Sequence, residues 1–201
     1  MLLPQRRAAQ PAPNRDRKGA GRDENFPLPS ALSCVVFFIT FSCYGQWVPG
    51  EAGVVDRAHN RLGGPTMPES ERLNAHLRKS MKQPAYEMDQ VRRAAVLSAI
   101  VETCRHRGWS LLAAHVRTTH VHAVIDAEAV PEQVMNSLKS YASRFLNQAG
   151  IDGADRRRWA RHGSTRYLWT QDAITNAVLY VIEAQGGPMA VYEAPARLPA
   201  P

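Results

Sequence analysis

The sequence predicts an α+β domain, and three observations support that prediction. The chain contains apolar runs of strand length, segments with an amphipathic helix pattern, and two strand-length runs that are separated by only three residues. Their order is strand, helix, strand, strand, helix, short strand, helix. The first six elements repeat the βαββαβ order of a ferredoxin-like sandwich. We therefore expect an antiparallel sheet with helices on one face, an open second face, and one extra C-terminal helix.

The first strand is the run CVVFFITFS at residues 34–42, because β-branched and aromatic residues favour extended backbone. Scattered glycine and proline over residues 51–67 predict a long connection, followed by a short helix near residues 69–81. A stronger helix pattern runs from Met88 to Arg107, where apolar residues recur at helical spacing. Gly108 suits the C-terminal end of that helix.

Two strands follow, at Ser110–Val116 and His120–Asp126, and the short spacer between them predicts a hairpin. Pro131 then begins a helix that extends to about Ala149, because proline is favoured at the first helical position. Gly150 stands directly behind this helix and suits its end.

The C-terminal part of the domain begins with a basic loop over residues 151–163. A short strand at Ser164–Trp169 and a last helix at Asp172–Ala184 follow. Thr170 is the expected N-cap of that helix, and a Gly-Gly-Pro sequence ends it.

The folded domain is expected at residues 34–193. Residues 1–30 are rich in Pro, Arg, Ala and Gly and predict a disordered basic tail, since they offer too little apolar surface to offset ordering. Residues 194–201 predict a frayed end. The 25 Lys and Arg against 18 Asp and Glu give a net charge of +7, which suits a polyanionic partner.

Cysteine usage and hydropathy exclude several classes of protein. There are three cysteines and no CxxC pair, which argues against a disulfide framework and a cysteine-based zinc site. No apolar run approaches the length of a membrane span, and the N-terminus lacks the apolar core of a secretory signal. We expect a cytoplasmic protein with inert thiols and no membrane partner.

A His-Val-His sequence lies in the third predicted strand. Because residues i and i+2 of a strand share one face, His120 and His122 project together and can bind one metal ion. Zinc, manganese or magnesium is chemically possible. The alternative is two exposed histidines without a metal. His115, in the neighbouring strand, is a third candidate whose register the sequence leaves open.

Tyr180 stands out among six tyrosines. On the last helix it falls off the apolar face, so its phenol can serve a neighbouring site. Glu183 lies three positions on, on the same polar side. The alternative is a tyrosine at the border of an amphipathic helix. Tyr141 belongs to the apolar stripe of its own helix, which favours packing.

Arginine and tryptophan are interleaved near residue 160. Guanidinium groups can bind phosphates and an indole can stack on a base, so the segment predicts a nucleic-acid contact. The alternative is a solvated charged loop. The candidate residues are Arg156, Arg157, Arg158, Trp159, Arg161 and Arg166.

Three segments together resemble the HUH single-tyrosine transposases, in particular the REP-associated branch found on bacterial chromosomes. The resemblance covers residues 34–193. The segments are FFITFSCYGQW at 37–47, HVRTTHVHAVI at 115–125 and LYVIEAQ at 179–185.

This resemblance implies a metal-dependent transposase that cleaves and rejoins single-stranded DNA, often hairpin-bearing, through a 5′-phosphotyrosine. It assigns His120 and His122 to a divalent metal, Mg²⁺ or Mn²⁺, and Tyr180 to the nucleophile. It also implies a homodimer and a nucleoid-associated protein.

The third metal ligand is open. Members of this family often take a glutamine four positions after the tyrosine, and here that position is Ala184. Glu183 and Gln185 flank it. On a straight helix Gln185 would lie on the apolar side, so geometry favours Glu183 while Gln185 stays a candidate.

Two other functions fit the same residues. A non-catalytic module could bind single-stranded nucleic acid on this fold without a metal. A metal-dependent phosphodiesterase could cut with water and leave no covalent adduct.

Overall fold

The computed structural model describes residues 35–46 and 70–195. The predicted tail at residues 1–30 and the predicted connection at residues 51–67 lie outside these ranges. The described elements, in chain order, are β1 (Val35–Cys43), α1 (Glu71–Lys79), α2 (Gln90–Arg107), β2 (Ser110–Val116), β3 (His120–Ala127), α3 (Pro131–Gln148), β4 (Trp159–Leu168), α4 (Gln171–Ile182) and β5 (Ala190–Glu193).

The strands form one antiparallel sheet in the order β4-β1-β3-β2-β5. Its first four members give the order of a ferredoxin-like sandwich, so the predicted fold class is confirmed. The strand β5 was not predicted, and it pairs with β2 at the edge of the sheet.

The strand β4 begins at Trp159, so the prediction of a loop through residue 163 was wrong for its last five residues. An edge strand leaves one side of its backbone open to water and can therefore be polar, which hides it from a search for apolar runs. The sequence WARHG at the start of β4 has that character.

The sheet separates two apolar layers. Phe37, Ile39 and Phe41 of β1 point to the face covered by α2 and α3, where they are almost fully buried. On the opposite face, Val181 of α4 packs with Val124 and other buried residues. The C-terminal helix therefore covers part of the face that was expected to be open.

Local sequence sets both ends of α4. The hydroxyl of Thr170, the predicted N-cap, accepts a hydrogen bond from the backbone N–H of Ala173. The helix ends at Ile182, two residues earlier than predicted, with Glu183 as its C-cap. Gly186 follows in the left-handed region at φ 79°, which favours glycine and lets the chain turn away from the helix axis.

A glycine allows β4 to approach β1 closely. Gly163 pairs with Phe41, and a Cβ atom at this position would lie 2.5 Å from the carbonyl oxygen of Thr40 and 2.5 Å from the sulfur of Met135. A side chain at position 163 would therefore push against the backbone of β1.

Within the described ranges, none of the helices is long and apolar enough to cross a bilayer. Cys43 and Cys104 are buried free thiols. Burial raises the pKa of each to about 12, and for Cys43 the charge of Glu87 adds to this effect. Both thiols therefore stay protonated near neutral pH.

Candidate active site

The His-Val-His residues lie at the start of β3 with both imidazoles on the α4 face of the sheet. The ring centroids of His120 and His122 are 4.8 Å apart. The Nδ1 atom of His122 lies 2.7 Å from the Thr40 hydroxyl, and Nδ1 of His120 lies 3.0 Å from the Thr119 hydroxyl. Each Nδ1 atom therefore has a hydroxyl partner, which leaves Nε2 for a ligand.

Burial sets the protonation state of this pair. It lowers the pKa of His122 to about 3, and the charges of His120 and His115 lower it further. Burial also lowers the pKa of His120, with a smaller contribution from the positive charge of Arg117. Both imidazoles are therefore neutral near pH 7, which is the form that binds a metal.

Tyr180 of α4 lies beside the histidine pair. Its ring centroid is 5.8 Å from that of His122 and 5.9 Å from that of Phe38. Phe38 in turn stacks on His122 at 5.6 Å with an interplanar angle of 14°. These three rings form one cluster, the ring cluster, and Tyr180 is half-buried in it.

The third ligand candidates fall in different environments. The side chain of Gln185 lies close enough to His120 and His122 to raise the pKa of both imidazoles, whereas Glu183 is an exposed helix C-cap. The amide nitrogen of Gln185 donates to the Tyr180 carbonyl oxygen at 3.3 Å. A rise in the imidazole pKa is the effect expected of an amide oxygen that faces the two rings.

The end of α4 explains this placement. The prediction that favoured Glu183 extended an ideal helix through residue 185, but the helix stops at Ile182 and the chain unwinds towards Gly186. A residue beyond the helix no longer follows the 100° rotation, so Gln185 can turn back to the pair.

His115 is not available as a further ligand. Both of its ring nitrogens lie within hydrogen-bond distance of backbone atoms, of Val181 and of Met189. Among the described residues, no group of three or more His, Cys, Asp or Glu side chains is arranged to bind a metal. The donors that the structure does bring together are two imidazoles and one carboxamide.

Arg158, one of the predicted nucleic-acid contacts, is inside the protein. It is 4% exposed, and its Nε atom lies 3.0 Å from a carboxylate oxygen of Asp152. Arg92 also binds Asp152, and the Tyr86 hydroxyl donates to the same carboxylate. These contacts hold the segment before β4 against α2.

Trp159 and Arg156 are likewise held by the protein. The indole N–H of Trp159 donates to the Lys139 carbonyl and to the Ser143 hydroxyl, and its ring packs edge-on against Phe41 at 5.1 Å. Arg156 donates to the side chain of Gln83 and to two nearby carbonyls. The sequence cannot distinguish such inward-pointing residues from a solvated basic loop.

The other three predicted contacts are accessible. Arg157 and Arg161 are exposed, and Arg166 is half-buried on β4. The guanidinium carbon of Arg166 lies 5.9 Å from the ring centroid of Phe38. Arg166 therefore places a positive charge beside the ring cluster, on the same face of the sheet as the histidines.

Thr40 and Phe38 were not singled out in the sequence, although both lie in the FFITFSCYGQW segment. Their neighbours depend on strand register, since Thr40 pairs with His122 and Phe38 with Val124. Strand alternation puts the two on one face, but it does not say which residues of other strands lie beside them.

Comparison with known proteins identifies one family. The sequence model described as "Transposase IS200 like" matches residues 70–172, just over half of the 201-residue chain. This region includes His120 and His122 and ends before Tyr180. No sequence match was found among curated proteins.

Two solved structures are similar in parts. One is a REP-associated tyrosine transposase bound to a REP hairpin, with 11% identity, a TM-score of 0.44, and coverage of 75% of this chain and 66% of that one. The other is a candidate transposase from Deinococcus radiodurans R1, with 13% identity, a TM-score of 0.39, and coverage of 84% and 98%. At these identities, residue roles do not transfer from either chain.

Proposed function

Because the chain belongs to the IS200-like transposase family, we propose that it cleaves and rejoins single-stranded DNA through Tyr180 with the help of a divalent metal. The observation that supports this most is the position of the Tyr180 ring, 5.8 Å from the ring of His122, within the ring cluster. A candidate nucleophile and a candidate metal site thus share one face of the sheet.

In the proposed cleavage, the phenol oxygen of Tyr180 attacks a backbone phosphorus. A bond forms between the tyrosine oxygen and phosphorus, and the bond from phosphorus to the 3′-oxygen breaks. The phenol proton passes to solvent or a base, and the departing 3′-oxygen takes up a proton. The products are a 5′-phosphotyrosine and a free 3′-OH. Joining is the reverse, with another 3′-OH as the attacking group.

The residues at the site fit a divalent ion such as Mg²⁺ or Mn²⁺. The amide oxygen of Gln185 is a donor of the kind that Mg²⁺ and Mn²⁺ favour, and two neutral imidazoles, the commonest metal-binding side chains, would complete the set. The hydroxyls of Thr40 and Thr119 orient the two rings from behind. When bound, the ion would withdraw electron density from a phosphate oxygen and offset developing charge.

The DNA strand would approach the ring cluster from the α4 face. Arg166 lies beside that cluster, and Arg157 and Arg161 are exposed on the same chain segment. Their guanidinium groups can bind phosphates, and a single strand can bring a phosphate between flanking protein groups more easily than a duplex can. The homodimer and the hairpin-bearing substrate remain predictions from the resemblance.

A covalent-adduct assay tests the proposal. Wild type, Tyr180→Phe, His122→Ala and Tyr141→Phe would be incubated with labelled single-stranded oligonucleotides from the DNA that flanks the gene. Each reaction would contain either Mn²⁺ or a chelator and be resolved on a denaturing protein gel. Tyr141→Phe is the matched control, because Tyr141 lies on α3, on the other face of the sheet.

The proposal expects a metal-dependent labelled band in wild type and in Tyr141→Phe, and no band in the other two. A band that persists in Tyr180→Phe would move the nucleophile elsewhere. Cleavage without any band would support a phosphodiesterase that uses water. Binding without cleavage over a broad set of hairpins would support a binding module.

A further inference from the structure

His115 occupies a central position behind the candidate active site. It lies on β2, directly opposite His122 of β3 in the strand register. Its side chain is fully buried at 0% exposure. A buried imidazole without hydrogen-bond partners would be costly, so its partners indicate what the residue does.

Both partners of His115 are backbone atoms from the C-terminal part of the chain. Its Nδ1 atom lies 2.9 Å from the carbonyl oxygen of Val181, and its Nε2 atom lies 3.3 Å from the backbone nitrogen of Met189. A carbonyl can only accept and an N–H can only donate. Nδ1 therefore carries the proton and Nε2 accepts, which fixes one neutral tautomer.

These two bonds lie at the two ends of residues 181–189, the segment that runs from the end of the Tyr180 helix to the start of β5. Val181 directly follows Tyr180 in α4, and Met189 directly precedes β5. Gln185 lies between them, against the histidine pair. Arg117, also from the β2–β3 hairpin, donates to the Gly187 carbonyl at 2.8 Å and supports the same segment.

We infer that His115 is a positioning residue that fastens the tyrosine helix to the histidine pair of its own chain. This inference rests on the proposed function, because it assigns Tyr180 the role of nucleophile. His115 of β2 would then hold the end of α4 next to His122, its partner on β3.

A purely stabilising role would be the simpler explanation of a buried histidine. The direction of its bonds argues for positioning, since one goes to Val181 beside Tyr180 and the other to Met189, at the far end of the segment that carries Gln185. The two roles differ in a measurable way. Loss of a positioning contact slows the chemical step in molecules that are fully folded and bind DNA normally.

Three substitutions separate the roles. His115→Leu removes both bonds, whereas His115→Asn places an amide nitrogen near the Nδ1 position and can still donate to Val181. Thr103→Val is the matched control. The buried hydroxyl of Thr103 also donates to a backbone carbonyl, but it does so within α2, on the other face of the sheet. All would be assayed well below their unfolding temperatures.

The first readout is the single-turnover rate of adduct formation, measured beside DNA affinity. We expect His115→Leu to lower the rate by about 100-fold, as a displaced nucleophile does, with DNA affinity within about twofold of wild type. His115→Asn should recover about tenfold of that loss, the value of one hydrogen bond. Thr103→Val should keep the wild-type rate. An unchanged rate in folded His115→Leu, or equal losses in His115→Leu and Thr103→Val, would overturn the inference.

The second readout does not need catalysis. The protein would be labelled with 3-fluorotyrosine, and the ¹⁹F resonance of Tyr180 assigned by its absence in Tyr180→Phe. We expect His115→Leu to shift that resonance and His115→Asn to restore it towards the wild-type position. An unshifted resonance in His115→Leu would overturn the inference. Failure of wild type to form any adduct would reject the proposed function, while the fluorine shift would still decide whether His115 places Tyr180.

Discussion

Thr40 of β1 and His122 of β3 lie directly opposite each other on neighbouring strands, with the threonine hydroxyl 2.7 Å from Nδ1 of the imidazole. This contact fixes the orientation of the ring and leaves Nε2 directed at the candidate metal site. Groups that orient a metal-binding histidine affect metal affinity even though they do not touch the ion.

Thr40→Val should therefore weaken Mn²⁺ binding about 10- to 100-fold, because valine keeps the shape of threonine but lacks the hydroxyl. Isothermal titration calorimetry with Mn²⁺ measures the change. Ser164→Ala is the control, since Ser164 pairs with Thr40 from the other side and is exposed. Equal affinities for wild type and Thr40→Val would show that the hydroxyl does not orient the ligand.

The choice between Gln185 and Glu183 leads to a second prediction. Gln185→Ala should lower Mn²⁺ affinity by about tenfold or more, and Glu183→Ala should change it by less than about twofold. Gln185→Glu should restore binding, since a carboxylate keeps an oxygen donor at that position. Calorimetric titration with Mn²⁺ measures these affinities. A larger loss of affinity in Glu183→Ala than in Gln185→Ala would assign Glu183, not Gln185, as the third ligand.

Arg158 supplies a prediction about stability rather than DNA binding. Arg158→Ala removes one of three partners of the Asp152 carboxylate, which keeps Arg92 and Tyr86. The loss of hydrogen bonds to a charged group costs about 1.5–3 kcal/mol of unfolding free energy. Arg157→Ala, at an exposed neighbour, should change it by less than about 0.5 kcal/mol. Urea unfolding followed by circular dichroism tests both. Similar stabilities for the two variants would contradict the buried ion pair.

The same carboxylate predicts a dependence on pH. Burial alone would raise the pKa of Asp152, but hydrogen bonds from Tyr86, Arg92 and Arg158 outweigh it and lower the pKa. A lowered pKa contributes stability above the unfolded value of about 4, and this stability is lost as the pH falls through the folded value. The urea midpoint of wild type should therefore drop more steeply below pH 4 than that of Asp152→Asn. Parallel curves for the two proteins would rule this contribution out.

The sequence was sufficient to predict those elements whose formation depends on residues close together in the chain. The hairpin and the helices α2, α3 and α4 were predicted to within a few residues, because each has its own periodicity and its own cap or end signal. The two elements that were shortened or missed, β4 and β5, are edge strands. Their stability comes from a neighbouring strand, so their own residues need no apolar pattern.

The candidate site was predicted only in part, for a related reason. Spacing singles out His120, His122 and Tyr180 as candidates, and the family resemblance implies their roles. The roles of Thr40 and Phe38 depend on pairing between residues about 80 positions apart, which strand alternation does not determine. The inward direction of Arg158 depends on a buried carboxylate, Asp152, that nothing in the local sequence indicates.

Gly163 lies outside the candidate site, yet few substitutions should be tolerated at this position. Its missing side chain lets the backbone of β1 lie against β4 beside Thr40. In a library that samples every amino acid at every position, selection for folded protein should leave position 163 almost invariant, while Gly187, which has open space around it, should accept many replacements. The substitution profile of this chain would then show low tolerance at a residue that takes no part in catalysis.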